Sequence, residues 1–307
     1  MHDFYYKGYW MVTNRCNLSC SYCVLEDAPH QRKMELDLNS KKELVSHLYH
    51  NLRFRRLTLS GGEVLIIGKQ PPNDFMELLD HIRTFRSADP AKNLEIELYT
   101  NGTYLDEKVA AKMQGVVDLV AVTIDSSNGN FLTEIGRNNK KFNNYYENIV
   151  KVCGLLSNKG IKLKLHSVIG QKNHQSLPNE VADILDYVEK AGGQLACWKF
   201  YQYMSYDAPE KDKFHAIPSD LYQQFKTRVE HALAGRKVPL HFKDNEEMNA
   251  SLFNILSYGN AQYMRTGDTW STSQRTGDLR TYSSMADLFA KHDIEEARFR
   301  HFHEIQR

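Results

Sequence analysis

Short apolar runs alternate with amphipathic stretches over the first two thirds of the sequence, and this alternation constrains the fold more than any other feature. The apolar runs predict six strands, at residues 9–13, 57–59, 94–99, 116–124, 161–169 and 194–201. The stretches between them predict helices at 38–52, 73–86, 106–114, 143–156 and 177–191, with Asn39 or Ser40 expected to cap the first helix. Consecutive strand–helix units form a parallel sheet with helical crossovers, so the sequence predicts an α/β fold.

The last third of the chain is more polar and less regular. The change begins at about Met204, and residues 265–284, which are rich in Thr, Ser, Gly and Arg, predict a loop. A chain of 307 residues is long enough to bury one large core. We therefore expect residues 1–204 to form the main body of the fold. Residues 205–307 are expected to form a C-terminal extension that caps the same domain.

Charge balance and hydropathy argue against several classes of function. The chain has 39 Lys and Arg residues against 38 Asp and Glu residues, which argues against a general surface for nucleic acid or anionic membranes. It has no run of 18 apolar residues and no secretory leader, so we expect no membrane attachment. Free cysteines without a signal peptide indicate a reducing compartment, and we expect a cytoplasmic protein.

Three of the five cysteines, Cys16, Cys20 and Cys23, lie within eight residues at C-x3-C-x2-C spacing. Thiolates bind iron–sulfur clusters, and three of them in one loop can bind three irons of a four-iron cluster and leave the fourth iron open. A structural zinc site needs four ligands, usually in two pairs, and a disulfide framework is typical of short secreted chains. The spacing therefore indicates a [4Fe–4S] cluster. Core packing is expected for Cys153 and Cys197.

This cysteine segment resembles the signature of the radical S-adenosylmethionine (SAM) superfamily. The resemblance implies a partial (β/α)6 TIM-like barrel, a [4Fe–4S] cluster on the three cysteines, and SAM on the open iron. It also implies that an external electron donor reduces the cluster and that SAM is cleaved to a 5'-deoxyadenosyl radical, which abstracts hydrogen from a substrate. Tyr22, the aromatic residue before the third cysteine, is expected to lie beside the adenine.

A short glycine-rich motif, Ser60-Gly61-Gly62-Glu63, directly follows the second predicted strand. Glycine lets the backbone approach a ligand closely, and a carboxylate can accept hydrogen bonds from an ammonium group. An ordinary turn is the alternative explanation of such a motif. The resemblance to the superfamily implies that these residues bind the amino group of the methionine part of SAM, with Val64 standing where proline is common.

Polar residues also follow the third and fourth predicted strands. Asn101 and Asp125 lie at these strand ends, where loop polarity and helix capping are the alternative explanation. The resemblance implies that they contact the ribose and carboxylate of SAM, together with Thr123 and Arg137, and that Val168 also binds SAM. Arg137 is attractive for this role because a guanidinium group matches a carboxylate bidentately.

A larger part of the chain, from the cysteines to about residue 260, resembles the viperin branch of the superfamily, which modifies nucleotides in antiviral defence. The matching stretches are 135–137 with 140–141, 164–169, 198–202 and, more weakly, 248–251. The resemblance implies a small-molecule substrate, a nucleoside triphosphate. Its ribose loses a hydrogen and then water, as in a lyase reaction, to give a didehydro-deoxy nucleotide.

Three cationic residues match positions that contact phosphate in the viperin branch: Lys164, Lys199 and Arg56. Lys164 and Lys199 lie in mostly apolar runs on neighbouring predicted strands, and lysine is rarely buried without a partner. The resemblance implies a triphosphate on these residues, with His166 beside them where the viperin branch has asparagine. The alternative is that both lysines lie on the outer rim with solvated amino groups.

The sequence departs from the viperin branch at positions that bear on the product. Cys197 stands where that branch has arginine, and its hydrogen-relaying tyrosine aligns with Leu252, which cannot relay hydrogen. Tyr258 and Tyr201 are possible replacement relays. An enzyme that modifies a peptide or another small molecule is an alternative, although no cysteine follows Cys197 to bind auxiliary clusters. A cluster that only senses or stabilises is a third, non-enzymatic alternative; in each case we expect a monomer.

Overall fold

The computed structural model describes residues 4–24, 35–140, 142–206 and 208–305, so Lys141 lies outside the described residues. The six predicted strands are all present; the first two are longer than predicted, the fourth is shorter, and the others agree with their predicted bounds to within one residue. They are β1 (Tyr5–Thr13), β2 (Phe54–Gly61), β3 (Glu95–Thr100), β4 (Leu119–Thr123), β5 (Lys162–Ile169) and β6 (Leu195–Gln202). Each pairs in parallel with the next in chain order, which confirms the predicted α/β class.

Helices connect these strands, mostly where the apolar periodicity predicts them. They are α1 (Leu38–His50), α2 (Asn73–Arg83), α3 (Glu107–Met113), α4 (Gly129–Glu134), α5 (Tyr145–Asn158) and α6 (Val181–Lys190). The short helix α4 was not predicted. The cap predicted for α1 is wrong by two or three residues: Asp37 caps the helix, and its carboxylate accepts a 2.7 Å hydrogen bond from the backbone N–H of Ser40. A carboxylate at this position also matches the positive end of the helix dipole.

Residues after Met204 add strands to both edges of the sheet. The elements of this extension are α7 (Pro209–His215), α8 (Ser219–Ala232), β7 (Leu240–Lys243), α9 (Asn245–Ala250), β8 (Phe253–Ile255), β9 (Asn260–Tyr263), β10 (Gln274–Asp278), α10 (Met285–Lys291), α11 (Glu296–His303) and β11 (Glu304–Ile305). The strand order is β10-β9-β8-β1-β2-β3-β4-β5-β6-β7, and β11 pairs with β1. The extension therefore shares one sheet with the main body.

The loop predicted for residues 265–284 is only partly present, because β10 lies within this range. This strand runs antiparallel to β9, and the Thr276 hydroxyl accepts a 2.8 Å hydrogen bond from the backbone N–H of Ala261. Thr276 itself is 4 % exposed. A polar strand becomes stable here because its backbone groups pair with a neighbour that is distant in sequence, which local composition does not reveal.

The outer face of the sheet carries the apolar core. Trp10, Leu59, Leu98, Val122 and Leu165, each on a different strand, are fully buried in one cluster with the helices. Alternate residues on each strand point to the opposite face. The covering helices therefore bury one set of side chains and leave the other set to line the concave inner face.

The inner face is polar and strongly curved. The rings of Tyr99 on β3 and His166 on β5 are 4.5 Å apart, and those of Tyr9 on β1 and Tyr99 are 5.8 Å apart. Each of these contacts skips one strand, which requires side chains to converge on the concave side of a curved sheet. We call this space the lumen, and define it by Tyr9, Glu97, Tyr99, Lys164, His166, Lys199 and Tyr201.

Across the part of the chain that is described, no helix is long and apolar enough to span a membrane.

Candidate active site at the carboxyl ends of the strands

The cysteine segment forms the loop directly after β1. Cys16 is exposed and Cys20 is buried, and the backbone N–H of Cys23 donates a 2.9 Å hydrogen bond to the carbonyl oxygen of Cys20. Although Cys16 is exposed as a residue, the protein packed around it desolvates its thiol and raises its pKa to about 11, and burial raises the pKa of the Cys20 thiol to about 12. These thiols keep their protons at neutral pH until a metal displaces them.

The two glycines after β2 press against the start of this loop. The backbone N–H of Gly62 donates a 2.9 Å hydrogen bond to the carbonyl oxygen of Thr13, and that of Glu63 donates a 2.8 Å bond to Arg15. A Cβ atom at Gly62 would lie 2.0 Å from the Arg15 carbonyl oxygen, and one at Gly61 would lie 2.1 Å from that of Thr13. Glycine is therefore required at both positions by the cysteine loop itself, whatever ligand approaches from the other side.

A third glycine supports the loop from the opposite side. Gly136 has φ +78°, and a Cβ atom there would lie 2.1 Å from the carbonyl oxygen of Ser19. The backbone N–H of Ser21 donates a 3.0 Å hydrogen bond to the neighbouring Ile135 carbonyl oxygen. The loop that bears the cysteines is thus held between the glycines after β2 and the segment after α4.

Glu63 is fully buried, and three donors surround its carboxylate. Its Oε1 atom accepts hydrogen bonds from the Thr100 hydroxyl at 2.7 Å and the Leu65 backbone N–H at 3.0 Å, and its Oε2 atom accepts one from the Asn101 backbone N–H at 2.7 Å. Burial raises the pKa of this carboxyl group, while the three donors oppose the rise. The side chain joins the ends of β2 and β3, and its predicted contact with the SAM amino group stays a prediction.

Asn101 supports the cysteine loop through its side chain. Its Nδ2 atom donates to Asn17 Oδ1 at 2.9 Å and lies 3.7 Å from the Cys16 sulfur. The Thr103 hydroxyl in turn donates to Asn101 Oδ1 at 2.6 Å and accepts from Asn17 Nδ2 at 2.9 Å. A polar residue that was predicted to bind SAM thus lies directly beside a cluster ligand.

Tyr22, Asp125 and Arg137 form one buried network next to Cys20. The Tyr22 hydroxyl donates a 2.6 Å hydrogen bond to Asp125 Oδ2, and Arg137 Nε donates to the same oxygen at 3.1 Å. Arg137 also donates to the hydroxyls of Tyr22 and Tyr145, at 3.4 Å for the latter. Although burial opposes its charge, nearby acidic groups led by the Cys20 thiol raise the pKa of Arg137 well above its usual value. Because the guanidinium is engaged inside the protein, its role with a SAM carboxylate stays a prediction.

A pocket opens beside this network. The other oxygen of Asp125, Oδ1, accepts a 2.9 Å hydrogen bond from the backbone N–H of Val168 near the end of β5. The pocket is lined by Tyr22, Asp125, Phe131, Ile135, Val168, Gly170, Lys172, Asn173, Tyr203 and His215. Three of the residues predicted to bind SAM therefore surround one cavity.

Ser60 and Thr123, which were also predicted to bind SAM, lie at the carboxyl ends of β2 and β4. The Ser60 hydroxyl forms a hydrogen bond with the hydroxyl of Tyr9, and the carbonyl oxygen of Thr123 accepts a 3.0 Å bond from the hydroxyl of Tyr145. The side chain of Thr123 is half-buried next to His166, its register partner on β5. Both side chains belong to the face that lines the lumen.

The cations predicted to bind phosphate lie on the inner face of the sheet. Lys164 is 7 % exposed, so the alternative of a solvated rim is wrong for this residue. Its Nζ atom lies 3.5 Å from Glu97 Oε2 and 3.3 Å from the Tyr99 hydroxyl. Arg56 is more exposed and forms a 2.6 Å ion pair with Glu95.

His166 and Lys199 are register partners on β5 and β6. The His166 ring lies edge-on between Tyr99, at 4.5 Å, and Tyr201, at 5.0 Å. Burial, and then the charges of Lys164 and Lys199, hold the pKa of His166 well below its usual range. Burial and the charge of Lys164 also lower the pKa of Lys199 to about 8. This part of the lumen therefore disfavours additional positive charge.

The two possible relay tyrosines lie in different surroundings. The Tyr201 hydroxyl lies in the lumen, 3.5 Å from His166 Nε2. Tyr258 packs with Cys23 against the small cluster of Met11 and Leu256. Leu252 lies between α9 and β8, where it lines a groove of the extension with residues that include Phe302 and His303.

Sequence reasoning missed Glu97 and Tyr99, although β3 carries a signal for both. Its sequence, Glu-Ile-Glu-Leu-Tyr-Thr, alternates polar and apolar residues, which is unusual for a parallel strand covered on both faces. Such alternation indicates a polar inner face. The prediction of core packing holds for Cys153, which is fully buried, while Cys197 is half-buried on the inner face of β6.

The residues of this site fit an iron–sulfur cluster and SAM. Three thiols lie on one loop, and the two remaining cysteines of the chain, on α5 and β6, lie outside it. Within the described ranges, no three His, Cys, Asp or Glu side chains are placed to hold a single metal ion. The thiolates of a four-iron cluster instead bind separate irons. The pocket lined by Tyr22 lies beside the same loop.

Comparison with known proteins identifies the family. A family model described as the radical SAM superfamily matches residues 10–186, more than half of the chain. Among curated relatives, GTP 3',8-cyclase of Chlorobaculum tepidum is 28 % identical over 159 residues, which cover 52 % of this chain and 43 % of that protein. The enzyme of the same name from Parasynechococcus marenigrum is 34 % identical over 124 residues, which cover 38 % and 33 %. The chain spans about half the length of the first curated relatives it matches.

Solved structures share the fold at low sequence identity. The protein anSMEcpe, solved with bound AdoMet and a peptide, superposes with a TM-score of 0.66 at 16 % identity, over 95 % of this chain and 83 % of that chain. SuiB of Streptococcus suis, solved with a precursor peptide, superposes with a TM-score of 0.62 at 12 % identity, over 84 % and 59 %. These likenesses support the partial-barrel fold. With the cysteine loop and the family match, the chain belongs to the radical SAM superfamily, and its cofactors are a [4Fe–4S] cluster and S-adenosylmethionine.

Proposed function

We propose that this radical SAM enzyme abstracts a hydrogen atom from the ribose of a nucleoside triphosphate, and that loss of water then gives a didehydro-deoxy nucleotide, as in the viperin branch. The observation that carries the proposal is the pair of lysines in the lumen. Lys164, which is buried, and Lys199, which is half-buried, lie on neighbouring strands and on the same inner face of the sheet. Two neighbouring cations that are largely shielded from water favour an anionic ligand such as a polyphosphate.

The charge balance in the lumen supports this substrate class. Glu97 is the carboxylate nearest to Lys164, and their separation of 3.5 Å is long for an ion pair. Within the described ranges, Lys199 forms no ion pair. Arg56 is already paired with Glu95, so a phosphate would have to compete for it. We therefore assign the triphosphate mainly to Lys164 and Lys199, and give Arg56 a smaller part.

The depth of the lysines also supports the proposal. Val168, which lines the proposed SAM pocket, follows Lys164 by four residues on β5. Four residues of extended strand span about 13 Å. A triphosphate anchored at Lys164 would therefore direct its ribose along the lumen toward the SAM end of the barrel.

The SAM site follows from the residues around the cysteine loop. When bound, the cluster and SAM supply the 5'-deoxyadenosyl radical. In our proposal, Tyr22, Asp125 and Val168 hold the adenosine part in the pocket they line, with Tyr22 beside the adenine. The remaining contacts are assigned to Ser60, Gly61, Gly62, Glu63, Asn101, Thr123 and Arg137.

The curated relatives support a nucleotide substrate without specifying the product. Several of them are named GTP 3',8-cyclase, so enzymes of similar sequence act on a purine nucleotide. Dehydration and cyclisation both begin with a hydrogen taken from the nucleotide. Mass distinguishes the two products, because dehydration removes the elements of water and cyclisation does not.

Tyr201 is the better placed of the two possible relays. Its hydroxyl lies in the lumen next to His166 and Lys199, where the proposed substrate binds. Tyr201 would complete the loss of water by giving its phenolic proton to the departing ribose hydroxyl and one electron to the ribose radical. The C–O bond breaks, a carbon–carbon double bond forms, and a tyrosyl radical is left. The external electron donor would then supply the electron, and solvent the proton, that restore the tyrosine.

The proposal is tested by anaerobic turnover of the reconstituted and reduced enzyme. 5'-Deoxyadenosine is quantified with SAM and each of the four ribonucleoside triphosphates in turn, and the nucleotide is analysed by mass spectrometry. Strong stimulation by one nucleotide and a product lighter by one water are expected. Slow cleavage that no nucleotide stimulates would contradict the proposal and favour a peptide substrate.

A variant separates substrate binding from SAM cleavage. Lys199→Ala should weaken binding of the stimulating nucleotide by about 10- to 100-fold, the usual effect of removing a charge-assisted contact. Uncoupled SAM cleavage should survive, because Lys199 does not belong to the cysteine loop. Unchanged nucleotide affinity would overturn the assignment of phosphate to this lysine.

A further inference from the structure

Three nitrogen-bearing side chains meet in the lumen with few counter-charges. The parallel register places His166 directly beside Lys199, and Lys164 lies two residues earlier on the same face of β5. His166 and Lys164 are both 7 % exposed. The polar contact of the His166 ring, from Nε2 to the Tyr201 hydroxyl, is long at 3.5 Å. The imidazole is therefore buried and weakly hydrogen-bonded beside two ammonium groups.

The groups that face His166 come from several neighbouring elements. β3 contributes the hydroxyl of Tyr99 and the carboxylate of Glu97, and β5 contributes Lys164. The strand β6 contributes Cys197, Lys199 and Tyr201, and β7 contributes Lys243 beyond Lys199. Among these groups Glu97 supplies one negative charge, whereas the nearby Lys164 and Lys199 supply two positive charges. Without an anion, the imidazole stays neutral at pH 7 because burial and both lysines hold its pKa low.

We propose that Lys164, His166 and Lys199 form one polyphosphate-binding cluster in which the His166 imidazole takes up a proton when the anion binds. This inference rests on the proposed function and deepens it. A polyphosphate brings several negative charges next to the two lysines and cancels their effect on the imidazole. Protonation then gives the site a third charged donor. The protonation state of His166 therefore depends on whether the anion is bound.

Proton uptake distinguishes this site from an ordinary lysine site. Lysines are already charged at neutral pH, so they bind phosphate without taking up protons. Because the pKa of Lys199 is about 8, about a tenth of its amine is neutral at pH 7. Lys199 can therefore take up only about 0.1 proton per bound anion. A larger uptake at pH 7 must come from the imidazole. The affinity should accordingly fall as the pH rises through the range in which the bound His166 loses its proton.

The test is anaerobic titration calorimetry of the holoenzyme with inorganic tripolyphosphate. The titration is run at pH 7.0 in two buffers with different heats of ionisation, which gives the number of protons exchanged per bound anion. The same measurement is made on His166→Asn and on a surface control, His231→Gln, whose histidine is exposed on α8. The anion's own proton exchange is common to all three proteins, so the difference between them isolates the imidazole.

The wild type and His231→Gln should take up about half a proton or more per anion beyond what His166→Asn takes up. Equal proton exchange in all three proteins would overturn the inference while the nucleotide proposal stands. If neither tripolyphosphate nor any nucleoside triphosphate binds, both proposals fall. These outcomes separate a failure of the inference from a failure of the proposed function.

A second measurement on the wild type alone covers the case in which His166→Asn does not fold. Imidazole ¹⁵N shifts distinguish neutral from protonated rings among the 13 histidines of the chain. At pH 7.0, tripolyphosphate should convert one neutral ring to the protonated form. Unchanged protonation of every ring at saturating anion would overturn the inference.

Discussion

The backbone N–H of Asn101 donates a 2.7 Å hydrogen bond to the Oε2 atom of Glu63, so one buried carboxylate joins the loops after β2 and β3. The same Asn101 reaches Asn17 in the cysteine loop through its side chain. The backbone of Glu63 also contacts that loop, at Arg15. Three strand ends are therefore connected around the cluster ligands before any cofactor is considered.

Glu63→Gln should loosen this connection. The three partners of the carboxylate are all donors, and an amide nitrogen turned toward any of them leaves a buried donor unpaired. We expect a loss of about 1–3 kcal/mol in the free energy of unfolding, measured with urea, and fewer irons bound per chain after reconstitution. The control is Glu77→Gln, whose carboxylate is 57 % exposed and should change stability by less than about 0.5 kcal/mol. Equal stability of the two variants would refute this role of Glu63.

Gly136→Ala should disrupt the cysteine loop, because its Cβ atom would fall 2.1 Å from the Ser19 carbonyl oxygen. Gly235 is a matched control, since it has φ +83° and an added Cβ there meets nothing within 4 Å. Gly235→Ala should cost only the backbone strain, about 1 kcal/mol. Gly136→Ala should cost clearly more and reduce the iron bound per chain. Similar urea midpoints and iron contents for both variants would contradict the packing described here.

Lys199→Met should make the protein more stable at pH 7 while weakening nucleotide binding. The pKa of Lys199 is about 8 in the folded protein and near 10.4 when unfolded, so the unfolded state binds more protons between these values. The stability contribution of this group therefore rises with pH across that window. We expect the variant to exceed the wild type by about 1–3 kcal/mol at pH 7 and the difference to shrink toward pH 10.

The measurement is urea unfolding of both proteins at several pH values from 7 to 10. Comparison with the wild type at each pH removes the contribution of the cysteines, which titrate in the same range. Lys108→Met, an exposed substitution on α3, is the control and should change the stability at pH 7 by less than about 0.5 kcal/mol. A pH-independent difference for Lys199→Met would show that this amine is not held at a low pKa.

Tyr201→Phe should uncouple SAM cleavage from product formation. The variant keeps the cysteine loop and the lysines, so 5'-deoxyadenosine should still form with the stimulating nucleotide. The yield of nucleotide product per 5'-deoxyadenosine should fall about tenfold, which corresponds to roughly 1.4 kcal/mol in the relay step. Tyr258→Phe is the comparison, because Tyr258 packs with Cys23 of the cysteine loop against Met11 and Leu256. A larger loss in Tyr258→Phe than in Tyr201→Phe would transfer the relay to Tyr258.

Much of the fold could be predicted because its signals are local. Apolar runs and helical periodicity predicted the six strands of the main body and five of the six helices described between them, α4 being the exception. The strands of the extension were missed because they are short and pair with distant partners: β8 has three residues and lies beside β1. Similarly, β10 reads as a loop in isolation, and it becomes a strand only through its pairing with β9.

The candidate site was predictable where strand ends carry it and unpredictable where side chains pair over long distances. The cysteine loop, the glycines after β2 and Asp125 all lie where the strand-end rule expects them. The partners of Arg137 and Arg56 could not be predicted, because Tyr22 and Glu95 are 115 and 39 residues away in sequence. The burial of Lys164 depends on Glu97 and Tyr99, two strands away, and on the curvature of the sheet.

The most direct test of the central claim follows a hydrogen atom from substrate to product. The enzyme is turned over with SAM and the stimulating nucleotide carrying deuterium at every ribose carbon, and the mass of the 5'-deoxyadenosine is measured. The account predicts 5'-deoxyadenosine heavier by one deuterium, formed by the wild type and absent with Cys20→Ala. Unlabelled 5'-deoxyadenosine from a turning-over enzyme would contradict the claim that the ribose is the site of hydrogen abstraction.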